Sequence, residues 1–307
     1  MASAPASAAD TVVGHVLRPS AIRTYADVQV FSAFEDGTYR LAIRREGKVE
    51  LLPVAPSPAP FAADIGPDRK GRPQLIYTRC KAKGRDCDLF VFSLAGGAGE
   101  RPVRAVNTSA NEVAPTLWKG RIAFAREHKG RLRSVVYTRK LAAPRSRPSE
   151  RLPAERKQTG VAVELELYGD HLAQIVHLTS STEVRLVDIS DHSSRLLDRA
   201  GVGEAAQHFA GVGFASGYLA WTFGGAVGEL AGIYRHRLST GALSRARFPR
   251  VVDYDIAGLA LFAPDGAYMI DAQPESGGCG EIADDPPALR PCQLIRSRPL
   301  RFRPIKG

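Results

Sequence analysis

Four acidic residues and one histidine carry the chemistry to weigh first. Asp64, Glu112, Glu164, Asp255 and His208 each stand at or near the start of a short strand-like run. Paired carboxylates at the right separation serve as acid and base, or acid and nucleophile, on a glycosidic bond, and that separation is set in space rather than along the chain. An imidazole among them adds a group that titrates near neutrality. The second set is basic. Between Lys119 and Lys157 there are thirteen Lys and Arg residues against three Glu, so this stretch accounts for the whole net charge of +10. Arg145, Arg147 and Arg151 sit in its Pro-rich part, where they suit an anionic polymer or an acidic protein surface. Aromatic interleaving is poor, since Phe124 and Tyr137 read as core, which disfavours base stacking and so nucleic acid. The third set is four cysteines in two local pairs, Cys80/Cys87 and Cys279/Cys292. Neither pair has the C-x₂-C spacing of a zinc site or of a redox dithiol.

Sharper motifs are absent. The sequence Gly213-Phe214-Ala215-Ser216-Gly217 is not a nucleophile elbow. There is no H-E-x-x-H, phosphate-binding loop or EF-hand loop. His171 and His177, six apart on one strand, lack a third ligand in register. No catalytic residue, metal or cofactor is assigned.

The elements that must position these residues are strands. Twenty-nine glycines and 21 prolines punctuate apolar or alternating runs of four to eight residues. No apolar run approaches the length of a membrane span. One stretch shows the unit clearly. Pro73–Ser93 reads as a hairpin whose mouth is stapled by a Cys80–Cys87 disulfide. The apolar triplets 29–31, 75–77, 122–124, 172–174, 219–221 and 268–270 then repeat at intervals of 46, 47, 50, 47 and 49 residues. A Gly or Asp turn precedes most of them. Six beats of four short strands predict an all-β, six-bladed β-propeller with four-stranded blades. Cys279 and Cys292 fall in the same connection of the sixth unit as Cys80 and Cys87 do in the second, so both pairs read as inter-strand staples. Inner strands put Asp64, Glu112, Glu164 and His208 near a central channel.

Two segments carry a resemblance. Pro115-Thr116-Leu117-Trp118-Lys119-Gly120-Arg121-Ile122-Ala123-Phe124 resembles the repeat P-x-W-S-P-D-G-x-x-I-A-F of TolB-type, WD40-like propellers. Ala263-Pro264-Asp265-Gly266 resembles its P-D-G turn. The resemblance implies a bacterial envelope or secreted protein that binds other proteins. Local disulfides point the same way, to an oxidising compartment. The small-residue start Ala2–Ala9 reads as the stretch around the cleavage point of a removed signal peptide, so a secreted, periplasmic or cell-surface location is expected.

The expected organisation is a flexible segment over 1–18 and one propeller over 19–307. Two ring closures are open. In one, Leu300–Arg303 completes the sixth unit and Ser20–Tyr25 opens the first. In the other, Thr11–Val16 clasps the last blade. The function expected is a non-catalytic scaffold with a protein partner on one rim. The alternatives are a glycan hydrolase or lyase using channel carboxylates, and a binder of anionic cell-wall polymer through unit three.

Overall fold

In a computed structural model the chain forms a ring of six antiparallel blades. It describes residues 11–16, 21–82, 85–96, 99–127, 133–152, 160–201, 209, 211–223, 232–247, 256–263, 266–271, 280–281, 289–290, 292–297 and 299–305. Among these residues there is no helix.

Blade one holds β2 (Arg23–Tyr25), β3 (Val28–Glu35), β4 (Thr38–Arg45) and β5 (Lys48–Leu51). Blade two holds β6 (Ala63–Pro67), β7 (Pro73–Ala82), β8 (Arg85–Ser93) and β9 (Glu100–Pro102). Blade three has β10 (Asn111–Trp118), β11 (Arg121–Glu127), β12 (Ser134–Lys140) and β13 (Glu150–Arg151). Blade four has β14 (Gly160–Tyr168), β15 (His171–Leu178), β16 (Ser181–Asp188) and β17 (Ser194–Gly201). Blade five has β18 (Val212–Ala215), β19 (Tyr218–Phe223), β20 (Gly232–Arg237) and β21 (Leu243–Ala246). Blade six runs β22 (Ile256–Ala263), β23 (Gly266–Asp271), β26 (Cys292–Arg296) and, from the other end of the chain, β1 (Thr11–Val16). A two-stranded ribbon, β24 (Gly280–Glu281) and β25 (Leu289–Arg290), branches from blade six.

The period follows from how the sheets stack. Alternate side chains of each second strand point to opposite neighbours. Leu75 and Tyr77 pack with Val30 and Leu41 of blade one. Ile76, between them, packs with Leu117 and Phe124 of blade three. Leu219 and Trp221 join blade four, while Ala220 joins blade six. Six apolar clusters fill the six blade interfaces, one each, so the two clusters flanking a blade bury both faces of a sheet that could not be stable alone. At the axis each inner strand touches the next, and β22 closes back on β2. Glycines allow this approach. A Cβ on Gly66 would sit 2.4 Å from the Leu117 carbonyl oxygen, and one on Gly211 would sit 2.7 Å from the Leu259 nitrogen.

Closure uses part of each expected scheme. Arg23–Tyr25 is the inner strand of blade one, and Thr11–Val16 is the outer strand of blade six, paired from Thr11↔Arg296 to Val16↔Cys292. The propeller therefore begins ahead of residue 19. Leu300–Arg303 does not complete blade six. The chain end instead adds β27 (Arg303–Pro304) to β21 as a fifth strand of blade five, because β1 already occupies the free edge of β26. The fourth strand of blade two ends early, at Pro102, since residues 104–106 turn and the Val106 nitrogen bonds back to the Val103 carbonyl.

Cys80 and Cys87 face each other across β7 and β8 and are joined in a disulfide. Cys292 is disulfide-bonded too; its expected partner, Cys279, lies outside the described residues.

Candidate axial site

Register fixes which inner-strand residues share a level around the channel. Thr24, Ile65, Leu117, Leu167 and Phe214 pair with Gln29, Leu75, Ile122, Leu172 and Leu219, the first members of the repeated triplets. The residues just before them therefore form one layer: Arg23, Asp64, Thr116, Glu166 and Gly213. Glu164 lies two residues back from Glu166, on the same face of β14.

This layer is charged and cross-linked. The Arg23 guanidinium reaches from blade one to blade four, where Nη2 is 2.5 Å from Glu164 Oε1 and Nε is 2.8 Å from Glu166 Oε2. Blades one and four lie opposite each other, so this is a spoke across the ring. Glu164 also accepts the Val212 N–H of blade five at 3.0 Å. Asp64, 2% exposed, accepts the Thr116 hydroxyl at 2.7 Å and the Leu117 and Ile65 amides at 2.8 and 2.7 Å. The Thr116 oxygen in turn accepts the Leu167 N–H at 2.9 Å. Three carboxylates thus surround one guanidinium. Burial, with the neighbouring Asp64 and Glu164 charges, holds Glu166 well above the usual carboxyl range despite Arg23. Burial also raises Asp64, against the pull of Arg23 and its hydrogen bonds. Arg23 is raised further above its already high value: the carboxylates outweigh its desolvation. Glu166 Oε2 and Arg23 Nε are close, yet neither has an aligned hydrogen bond.

Above this layer the inner strands end in aromatic side chains. Tight turns set that height. Lys119–Gly120 and Ser216–Gly217 both take two successive positive φ angles, so the strands stop at Trp118 and Ala215. Tyr25 meets Trp118 edge-on at 6.3 Å, Trp118 meets Tyr168 at 4.5 Å, and Tyr168 stacks on Phe214 at 5.7 Å. The Tyr25 hydroxyl donates to the Gly71 carbonyl at 3.2 Å. This collar, from blades one, three, four and five, encircles a cavity of about 170 Å³ that also takes Ile65 from blade two and Leu261 from blade six. Glu166 is its acidic lining residue.

The other sequence-derived candidates disperse. Glu112 is fully buried and accepts the Thr108 amide and hydroxyl at 3.2 and 2.7 Å and Arg126 Nε at 2.9 Å. It lies at the start of β10, away from the collar. His208 and Asp255 lie outside the described residues. His171 sits 3.8 Å from Asp188, and no group of three metal-ligating side chains occurs among the described residues. Arg145, Arg147 and Arg151 are exposed. The first two ride on the connection between β12 and β13, which folds around the buried Arg139 guanidinium. Arg139 donates to the carbonyls of Arg147, Pro144 (2.6 Å) and Ala143 (3.3 Å). The Leu141 amide ties this loop to the Gly120 carbonyl at 2.8 Å. Third-to-fourth connections and first-to-second turns lie at the same end of an antiparallel blade, so the basic loop shares a face with the aromatic collar. Arg69, Lys70 and Lys119 add exposed positive charge to that face.

Sequence reading missed Arg23, Glu166 and the four rings. The signal for the collar was present: an aromatic residue stands at or next to the last strand position before the first turn of four units.

No protein-family profile matches the chain, and no curated protein matches it in sequence. Solved structures do match in shape. TolB from Acinetobacter baumannii is 13% identical with a TM-score of 0.57, over 90% of this chain and 65% of that one. Nidogen, from its complex with laminin, is 11% identical with a TM-score of 0.52, over 80% of this chain and 85% of that one. At these identities the likeness carries the fold: the chain is a six-bladed β-propeller similar in architecture to TolB and nidogen.

Proposed function

We propose that this propeller is an extracytoplasmic binding module whose partner, a protein, docks on the face that carries the aromatic collar. The observation that supports this most directly is the axial cavity, walled by all six blades and open among four rings. Partly exposed aromatic side chains around a pocket are the kind of anchor that dominates protein interfaces. The basic shoulder of blades two and three supplies complementarity to acidic surroundings of whatever enters the pocket. The disulfide suits an oxidising compartment.

A glycan hydrolase or lyase is less well supported. Asp64 holds three donors, Glu164 is bonded to Arg23 and Val212, and Glu112 is enclosed by Thr108 and Arg126. A carboxylate held in this way is poorly placed to hand a proton to a substrate.

A photo-crosslinking residue at Lys119, on the collar face, is expected to trap one discrete protein in envelope extract. The same residue at Asp36, on the opposite face, is expected to trap none. Trp118→Ala should abolish the Lys119 product. Equal products from both faces, or glycan cleavage that disappears in Glu164→Gln, would overturn the reading.

A further inference from the structure

We propose that the axial pocket is a site for a cationic group, a primary or quaternary ammonium, seated against the collar rings and beside Glu166. The inference rests on the collar face being the binding face and specifies what enters it.

Three observations converge. The first is the rings. Tyr25, Trp118 and Tyr168 line the cavity, and indole and phenol faces attract a desolvated cation through their quadrupoles. The second is the balance of charge behind them. Glu166 and Glu164 on β14 and Asp64 on β6 face Arg23 on β2, the one cation in this layer among the described residues. β10 contributes Thr116 and β18 contributes Gly213, neither charged. The phenols of Tyr25 and Tyr168 complete the titratable groups around Glu166. Three carboxylates to one guanidinium, with Glu164 and Glu166 each only 14% exposed, leave a poorly solvated negative excess, and a cation from outside would complete it. The third is that two of the pocket's hydroxyls are already engaged within the protein. The Thr24 hydroxyl already donates to the Val28 carbonyl at 3.0 Å and the Tyr25 hydroxyl to Gly71. A sugar needs several convergent donors and acceptors; an ammonium needs ring faces and negative charge.

The positive shoulder outside the pocket fits the same picture. A partner with a cationic tip and an acidic skirt would match both, and a surface that is positive throughout would be repelled by Arg69, Lys70, Lys119, Arg145 and Arg147.

Entry of a cation also favours the ionised form of Glu166. Binding should therefore release a proton, and affinity should rise as pH climbs above the ordinary carboxyl range.

The chain contains two tryptophans, Trp118 at the collar and Trp221, which is 1% exposed. Trp118 fluorescence therefore reports the pocket. Titration with choline and with its neutral isostere 3,3-dimethylbutan-1-ol separates charge from shape. Choline is expected to bind at least about tenfold more tightly. Glu166→Gln should cut choline binding about tenfold and flatten its pH dependence while leaving the neutral isostere unchanged. Tyr168→Leu, which keeps Glu166, should weaken choline more than the isostere. Cooperative thermal melts with midpoints well above the titration temperature in both variants would confirm that loss of folding is not what changed. Equal affinity for the two probes, or no response to choline at about 50 mM, overturns the assignment. If Lys119 crosslinks a partner while the two probes bind alike, the docking face stands and the cation falls. If choline is selected but no partner is trapped, the cation stands and the protein partner falls.

Discussion

Two buried ion clusters in this propeller are built in opposite ways. In blade four, Glu183 is fully buried between Arg185, 2.6 Å away on the same strand, and Arg199, 2.5 Å away on β17. There are two cations to one carboxylate, but the Arg199 side chain is 55% exposed, so the surplus positive charge is solvated. All three residues belong to one sheet. In the channel, Arg23 is 5% exposed and stands among carboxylates from blades two and four. The surplus there is negative, its two glutamates are only 14% exposed, and it joins blades across the ring. The first arrangement is electrically complete and local. The second is incomplete and holds the ring together. A buried charge surplus must be neutralised by a proton or a counter-ion, and this is why the channel, rather than blade four, reads as a place for a ligand.

The sharpest way to break the comparison is to remove one arginine from each cluster. Arg23→Met leaves three poorly solvated carboxylates near one another with no cation, and should cost about 3–5 kcal/mol. Arg185→Met leaves Glu183 paired with Arg199 and should cost about 1–3 kcal/mol. Urea unfolding monitored by Trp fluorescence and circular dichroism measures both. Equal losses would mean that the spoke is no more than another local pair.

A smaller effect sharpens the same contrast. Glu166 has a raised folded-state pKa, so the folded protein binds more protons than the unfolded chain between the unfolded and folded values. Its contribution to stability is therefore complete at acid pH and is lost as pH rises through the folded value. Glu166→Gln, neutral at every pH, should raise the melting temperature in mildly alkaline buffer and leave it nearly unchanged near pH 4. Glu183→Gln should be destabilising throughout, because it leaves Arg185 buried without its counter-charge. A melt series of the two variants across pH is the measurement. A pH-independent gain in Glu166→Gln would show that the channel charges are already balanced.

The fold was legible because it is written in a period. The triplets at 75–77 and 219–221 are apolar on both faces, which only sheets flanked on both sides require, and their spacing counts the blades. The Cys80–Cys87 staple was legible because its residues lie across one hairpin. Closure was legible only in part. Thr11–Val16 on the last blade and an inner strand from Ser20–Tyr25 were expected in separate schemes, whereas Arg303–Pro304 on blade five was not, since it is short and pairs with an edge remote in sequence. The site was legible by kind but not by residue. Asp64 and Glu164 belong to the channel, as inner-strand acids should. Arg23 escaped because its three-residue strand has no periodicity to announce it, and its partners are 141 and 143 positions away. Glu166 escaped because only acids at or near strand starts were weighed, although it shares the inward face of Glu164 two residues on. Trp118 and Tyr168 escaped because residues before a turn were read for the turn alone.

The least effect on the fold is expected where charge is densest. Arg139 is the structural member of the basic loop, since its buried guanidinium supplies donors to three carbonyls. Arg145, Arg147 and Arg151 are exposed and make no ion pair among the described residues. Replacing these three by serine should change stability by no more than about 0.5 kcal/mol, whereas Arg139→Met should cost about 1–3 kcal/mol by removing the donor shared by the Ala143, Pro144 and Arg147 carbonyls. The triple variant should still elute from a dextran sulfate column at clearly lower salt than the parent, because long-range attraction to a polyanion depends on solvated charge and not on which loop carries it. If the collar face is the working surface, the same triple variant should slow capture of the Lys119-crosslinked partner without abolishing it, as charges at a rim steer association while a central pocket sets residence. If instead capture is abolished and choline binding at Trp118 is untouched, the basic loop is the principal contact and the axial pocket serves a different ligand.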